Sequence, residues 1–147
     1  MPLLTRMFSA GLLVACVISH AAAESVDEIF RTQDSNGDNA LSVNEARAAA
    51  PAGFRNIDRG AKGFISVEDI AAYTVAGSST EMAWPAEALA AVAKGTLQMW
   101  DGNHDGKVSE QEYTEAAIAF LLLADKDGDR QVTREELLLF RGEAVKP

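Results

Sequence analysis

The chain has 147 residues, with 22 acidic residues against 13 lysines and arginines, which gives a formal net charge of −9 at pH 7. This length suits one compact domain or two small lobes. The negative charge excludes proteins that hold nucleic acid or anionic lipid surfaces through a basic face, because those surfaces repel an acidic chain. The apolar fraction of 48% argues against a disordered chain.

The N-terminal stretch has the pattern of a secretory signal peptide. One positive charge, Arg6, precedes an apolar run over residues 7–19, and small residues follow at 21–23. This order predicts a signal peptide over residues 1–23 with cleavage after Ala23. The run is shorter than the ~20 residues that a membrane helix needs, and no later stretch qualifies. We therefore expect a secreted or periplasmic protein with no membrane span.

A second interpretation of the same stretch depends on Cys16, the only cysteine. The sequence "LVAC" over residues 13–16 resembles the lipobox of bacterial lipoproteins, in which the cysteine carries a lipid anchor. Plain cleavage is favoured over lipidation because the apolar run continues past Cys16 and no polar tether follows. Cleavage would leave a chain without cysteine, hence without disulfides, and with a net charge of 12 − 22 = −10.

After residue 23 the chain contains four copies of one twelve-residue pattern. These are loop 1, "DSNGDNALSVNE" (34–45); loop 2, "DRGAKGFISVED" (58–69); loop 3, "DGNHDGKVSEQE" (101–112); and loop 4, "DKDGDRQVTREE" (125–136). Loops 1 and 2 start 24 residues apart, as do loops 3 and 4, whereas loops 2 and 3 start 43 apart. The spacing predicts two sequential pairs joined by a connector.

The flanks of the loops also repeat. An apolar residue lies four before each loop, at Phe30, Phe54, Leu97 and Leu121. Others lie at the eighth loop position (Leu41, Ile65, Val108, Val132) and one residue past each loop (Ala46, Ile70, Tyr113, Leu137). This pattern predicts a helix on each side of each loop, with one face in a shared core. A helix, a twelve-residue loop and a second helix resemble the EF-hand calcium-binding family over nearly the whole mature chain, most closely its small secreted bacterial members.

The resemblance implies an all-α fold of two EF-hand pairs. In such pairs the eighth positions form a short antiparallel β pairing, expected here between Leu41 and Ile65 and between Val108 and Val132. The corresponding domains are 24–76, with the second hand degenerate, and 85–147, with 77–84 as the linker. The sequence "GSS" at 77–79 supports a flexible link, and Pro85 suits the first turn of the next helix.

Calcium prefers six to eight oxygen ligands, and a loop of this kind supplies them from positions 1, 3, 5, 7, 9 and 12. Loops 1, 3 and 4 have a suitable oxygen at every one of these positions, with the main-chain carbonyl serving at position 7. The expected ligands are Asp34, Asn36, Asp38, Ala40, Ser42 and Glu45; Asp101, Asn103, Asp105, Lys107, Ser109 and Glu112; and Asp125, Asp127, Asp129, Gln131, Thr133 and Glu136. We therefore expect about three calcium ions.

Position 6 of such a loop requires a positive φ, which glycine adopts most easily. Gly106 meets this in loop 3 and Asn39 tolerates it in loop 1, whereas Arg130 in loop 4 should be strained. Loop 2 keeps Asp58 and Gly63 but has Gly60 and Lys62 at positions 3 and 5, and Asp69 at position 12. We expect loop 2 to bind no calcium and to act as a structural partner.

Other functions have less support. His104 at loop position 4 is expected to be solvated, and a chain with one mature histidine and no mature cysteine offers no triad or zinc cluster, so we expect no enzyme. The alternative is a calcium-stabilised adaptor or sensor that binds another envelope protein. Met82, Trp84, Met99 and Trp100 could line a target groove, but they are interpreted as core of the second lobe.

Overall fold

The structure, a computed structural model, describes residues 25–76 and 85–143. These ranges contain six helices and two short strands, which confirms the predicted mostly helical fold with a small antiparallel pairing. The elements are α1 (Val26–Gln33), β1 (Ala40–Ser42), α2 (Val43–Ile57), α3 (Val67–Ala76), α4 (Ala86–Trp100), α5 (Glu110–Ala124), β2 (Gln131–Thr133) and α6 (Arg134–Phe140). The predicted signal peptide, Cys16, the linker 77–84, Met82 and Trp84 lie outside the described residues.

The helices begin and end where the loop pattern predicts. Ser42, Ser109 and Thr133 cap the N-termini of α2, α5 and α6, and each makes a capping box with the glutamate three residues on. Such a reciprocal cap satisfies two main-chain donors that a helix start otherwise leaves unpaired. The N-cap is therefore the ninth loop position, each helix begins at the tenth, and its first turn carries position 12.

The pairing of the loops differs from the sequential order that the spacing predicts. Strand β1 of loop 1 pairs antiparallel with β2 of loop 4, with Leu41 opposite Val132. Ile65 of loop 2 forms a two-hydrogen-bond bridge with Val108 of loop 3, at 2.8 and 3.0 Å. The predicted pairings of Leu41 with Ile65 and of Val108 with Val132 are therefore wrong. The boundaries 24–76 and 85–147 stay predictions.

The apolar core follows this nested pairing. One cluster, the inner core, surrounds the loop 2–loop 3 bridge and includes Phe54, Ile65, Trp100 and Tyr113. The other, the outer core, surrounds the β1–β2 pair; its members include Phe30, Leu41, Leu121 and Val132. Helices α2 and α5 supply side chains to both cores and pack against each other, so they connect the two loop pairs.

Most of the residues that the repeat assigns to the core are buried. Phe30, Phe54, Leu121 and the four eighth-position residues are at most 5% exposed, while Leu97 packs against the inner core as a partly buried residue. Trp100 is buried as predicted, but the core interpretation is wrong for Met99, which is 57% exposed. Among the described residues, no helix combines the length and apolarity needed to cross a membrane.

Candidate functional site

The first carboxylate of each candidate loop organises the turn that follows it. Asp34, Asp101 and Asp125 each lie at the C-terminal end of a helix. In loop 1, Asp34 Oδ1 accepts the Gly37 amide at 2.7 Å and Oδ2 accepts the Asn39 amide at 3.0 Å. Asp125 in loop 4 accepts the corresponding amides of Gly128 and Arg130. In loop 3, Asp101 Oδ2 accepts the Gly106 amide, and Oδ1 accepts the Asp105 amide, one position later than in loop 1. Both oxygens of each first carboxylate are thereby held inside the loop.

The side chains at positions 3 and 5 curl over the same loop. Asn36 Oδ1 accepts the Asp38 amide at 2.8 Å, and Asp38 Oδ1 accepts the Ala40 amide at 2.9 Å. Loops 3 and 4 repeat both bonds, through Asn103 and Asp105 and through Asp127 and Asp129. Loops 1, 3 and 4 thus share one hydrogen-bonded arrangement at positions 1, 3 and 5.

The glutamate at position 12 closes each loop from the helix that follows. Glu45 Oε1 accepts the Ser35 and Asn36 amides at 2.9 and 3.3 Å, and Oε2 accepts the Ser42 amide and hydroxyl at 2.9 and 2.8 Å. Glu112 and Glu136 reach the starts of their own loops in the same way. The hydroxyls of Ser42, Ser109 and Thr133, predicted as position 9 ligands, bond to these glutamates and cap the helices, a role that the sequence prediction missed.

The position 12 carboxylates are held in the ionised form. Burial opposes ionisation of Glu45, which is 6% exposed, but hydrogen bonds from Ser42, Asn36 and Ser35 prevail and lower its pKa to about 2. The Ser109 amide is the largest influence that lowers the pKa of Glu112. At Glu136, burial again opposes the shift, and bonds from Thr133 and Lys126 lower the pKa. Ionised carboxylates are the form that a cation requires.

In loop 4 three carboxylates converge. Oxygens of Asp125, Asp127 and Glu136 all lie within 4.8 Å of one another. Oxygens in such a group can share one cation, and carboxylates with main-chain carbonyls are the hard donors that calcium and magnesium prefer over softer metals. The donor set therefore fits a hard divalent cation.

The backbone is left-handed at two positions of every loop, where the sequence predicted one. At position 6, Asn39, Gly63, Gly106 and Arg130 have φ of 63°, 82°, 83° and 66°, which confirms the predicted left-handed turn. At position 4, Gly37, Ala61, His104 and Gly128 have φ of 74°, 49°, 63° and 82°. Each loop therefore places glycine at one of the two positions and a costlier residue at the other. His104 is exposed, as predicted.

Loop 2 keeps the shape of the others but contains a cation of its own. Asp58 accepts the Lys62 and Gly63 amides at 3.0 and 2.8 Å, and Asp69 accepts the Ser66 amide at 2.8 Å. The Lys62 ammonium forms an ion pair with Asp69 and lies 3.9 Å from Asp58 Oδ1. The lysine at position 5 thus contacts the carboxylates of positions 1 and 12.

No protein-family model matches the chain, and a search of curated proteins finds no match.

Proposed function

We propose that this protein binds calcium through loops 1, 3 and 4 and belongs to the EF-hand family, with loop 2 as a metal-free structural partner. The observation that carries the proposal is the carboxylate group of Asp125, Asp127 and Glu136, together with the recurrence of its hydrogen-bond arrangement in loops 1 and 3. Calcium is preferred to magnesium because a position 12 glutamate can offer both oxygens, whereas magnesium keeps a strict octahedron with several waters.

The balance of charge predicts how calcium would affect stability. The three loops contain ten ligand carboxylates, counting the aspartates and glutamates of the expected set, and like charges at this spacing repel. Three bound calcium ions would change the mature charge from −10 to −4. We therefore propose an exported protein whose folded state is stabilised by calcium, since any ion that binds only the folded state raises the unfolding free energy.

Calorimetric titration of residues 24–147 tests the proposal directly. We expect about three calcium ions per chain and a higher melting temperature in millimolar calcium than in chelator. Asp101→Asn should remove one ion, because it weakens the first ligand of loop 3. Glu110→Gln is the matched control, because it removes one negative charge from an exposed position of loop 3 that supplies no expected ligand, and it should leave the stoichiometry unchanged. An unchanged melt, or a loss of one ion with Glu110→Gln, would contradict the proposal.

A second candidate function is an adaptor or sensor that binds another envelope protein. The supporting observation is that several large apolar side chains are exposed on the helices: Val75, Met99, Leu123, Leu139 and Phe140. Scattered exposed apolar residues are common on soluble proteins, so calcium dependence is the deciding property. If calcium shifts tryptophan fluorescence and increases binding of an apolar dye, the sensor function is favoured. If calcium changes only the melting temperature, its role is structural.

A further inference from the structure

The loop 2 carboxylates are arranged around the Lys62 side chain. The Asp58 side chain is 3% exposed and that of Asp69 is 14% exposed, while that of Lys62 is 35% exposed. An aspartate buried to this degree is costly without a positive partner. Burial opposes the ionisation of Asp69, but the Lys62 ammonium and Ser66 prevail and lower its pKa. Both carboxylates therefore have a cation to neutralise them within the loop itself.

Gly60 lies against the aliphatic stem of this lysine. A methyl group added at Gly60 would lie 3.2 Å from Lys62 Cγ and 3.5 Å from Cδ. The backbone at Gly60 is outside the left-handed region, so its conformation does not require glycine. Loop 2 differs from the other loops by a small residue at position 3 and a long one at position 5. The small residue lies against the stem of the long one, so the two differences fit together.

Loop 2 is also joined to loop 3 near this lysine. Phe64 lies beneath two ammonium groups, 5.3 Å from Lys62 Nζ and 4.7 Å from Lys107 Nζ, measured to the ring centroid. The next residue, Ile65, forms the bridge with Val108 and is fully buried. A change in the closure of loop 2 would therefore reach loop 3 through the adjoining residues Phe64 and Ile65.

We propose that the Lys62 ammonium is a tethered substitute for a bound cation, which holds loop 2 closed and keeps loop 3 in its binding shape without a second ion. The role of loop 3 rests on the proposed calcium function, but the closure of loop 2 by Lys62 does not. The consequence is that the two loop pairs should respond differently when a chelator removes calcium. The loop 2–loop 3 bridge stays formed, whereas the β1–β2 pair, with carboxylate clusters in both of its loops, loosens.

Amide hydrogen exchange in chelator tests the closure. In the unmodified chain we expect the Ile65 and Val108 amides to exchange at least tenfold more slowly than those that join β1 and β2. Lys62→Ala should remove this difference and lower the melting temperature in chelator by about 5 °C, the scale of a modest loss of stability in a chain of this size. Lys94→Ala removes the same charge from an exposed position on α4 and should change neither.

Gly60→Ala supplies a second test, because its effect on the melting temperature should change from destabilising to neutral or stabilising when Lys62 is removed. With Lys62 present, the added methyl should displace its stem and lower the melting temperature. In the Lys62→Ala background the same substitution should be neutral or stabilising, because alanine restricts the unfolded chain and no Cγ remains to clash. Equal effects of Gly60→Ala in both backgrounds, or unchanged exchange in Lys62→Ala, would overturn the proposal.

Calcium titration separates this proposal from the calcium function. If calcium binds, Lys62→Ala should weaken the loop 3 site and leave loops 1 and 4 unaltered. Fluorescence of Trp100, which lies beside Asp101, reports on loop 3 in a Trp84→Phe background. An unchanged loop 3 affinity would overturn the coupling to loop 3. If calcium does not bind at all, the calcium function fails, while slow exchange that is lost in Lys62→Ala would still support closure of loop 2 by its lysine.

Discussion

The nested pairing of the loops can be tested by truncating the residues that face each other across it. Leu41 and Val132 are 1% and 0% exposed and directly opposite each other, whereas Leu41 and Ile65, the partners that the spacing predicts, belong to different cores. Two double-mutant cycles therefore distinguish the arrangements. One combines Leu41→Ala with Val132→Ala, and the other combines Leu41→Ala with Ile65→Ala.

The expected magnitudes follow from the buried groups removed. Leucine to alanine deletes three carbons and valine to alanine two, at about 0.8 kcal/mol for each buried carbon. A cavity adds to each cost, which gives about 3 kcal/mol for Leu41→Ala and about 2 kcal/mol for Val132→Ala. Facing residues share one cavity, so we expect a coupling energy of about 1 kcal/mol for Leu41 with Val132. For Leu41 with Ile65 we expect less than about 0.5 kcal/mol.

Urea unfolding in millimolar calcium, followed by circular dichroism, supplies the four unfolding free energies of each cycle. The Leu41→Ala variant is shared, so each cycle is a control for the other. A coupling energy that is large for Leu41 with Ile65 and absent for Leu41 with Val132 would refute the nested pairing and restore the sequential one.

Three further predictions concern packing in the core, strain in loop 4 and stability at acid pH. Gly53→Ala should lower the unfolding free energy by about 1–3 kcal/mol, because its methyl would lie 2.5 Å from the Tyr113 hydroxyl. Gly95→Ala has open space around it and should raise the unfolding free energy by up to ~1 kcal/mol. Urea unfolding measures both changes. Arg130→Gly should relieve ~1 kcal/mol of strain at φ 66° and tighten loop 4 in a calcium titration, while Asn39→Gly at the same position of loop 1 should gain less. The pKa of Glu45 is lowered to about 2 in the folded chain. Its contribution to stability is therefore complete above its unfolded pKa of ~4.3 and is lost as the pH falls through 2. In chelator, Glu45→Gln should flatten the decline of the melting temperature between these two pH values, and an equally steep decline would contradict the assignment.

The helices and the loop register could be predicted because each depends on local chemistry. The apolar residues four before each loop and one after it predict the flanking helices, and glycine or asparagine at position 6 favours a left-handed turn. Both features are read from adjacent residues, and both are present in the structure. Met99 was misplaced because the apolar pattern of α4 does not distinguish its two faces around Trp100.

The pairing could not be predicted from the eighth-position residues. Leu41, Ile65, Val108 and Val132 are all aliphatic and all suit a short strand, so each could face any of the others. The 24-residue spacing favours pairing between consecutive loops only because a shorter connection costs less entropy to close. This entropic cost grows slowly with the length of the connection, so it does not decide the pairing. Helix packing between α2 and α5, which contributes to both cores, is a long-range term that the repeat pattern does not contain.

One local feature does separate the loops in the way that the structure pairs them. Loops 1 and 4 have glycine at position 4 and a side chain at position 6, Asn39 or Arg130. Loops 2 and 3 have the reverse, with Ala61 or His104 at position 4 and glycine at position 6. Loops 1 and 4 therefore have their conformational cost at the turn next to the strand, and loops 2 and 3 have it two residues earlier. Each pair joins loops of the same kind, so the position of glycine within the loop is the sequence signal that agrees with the nested arrangement.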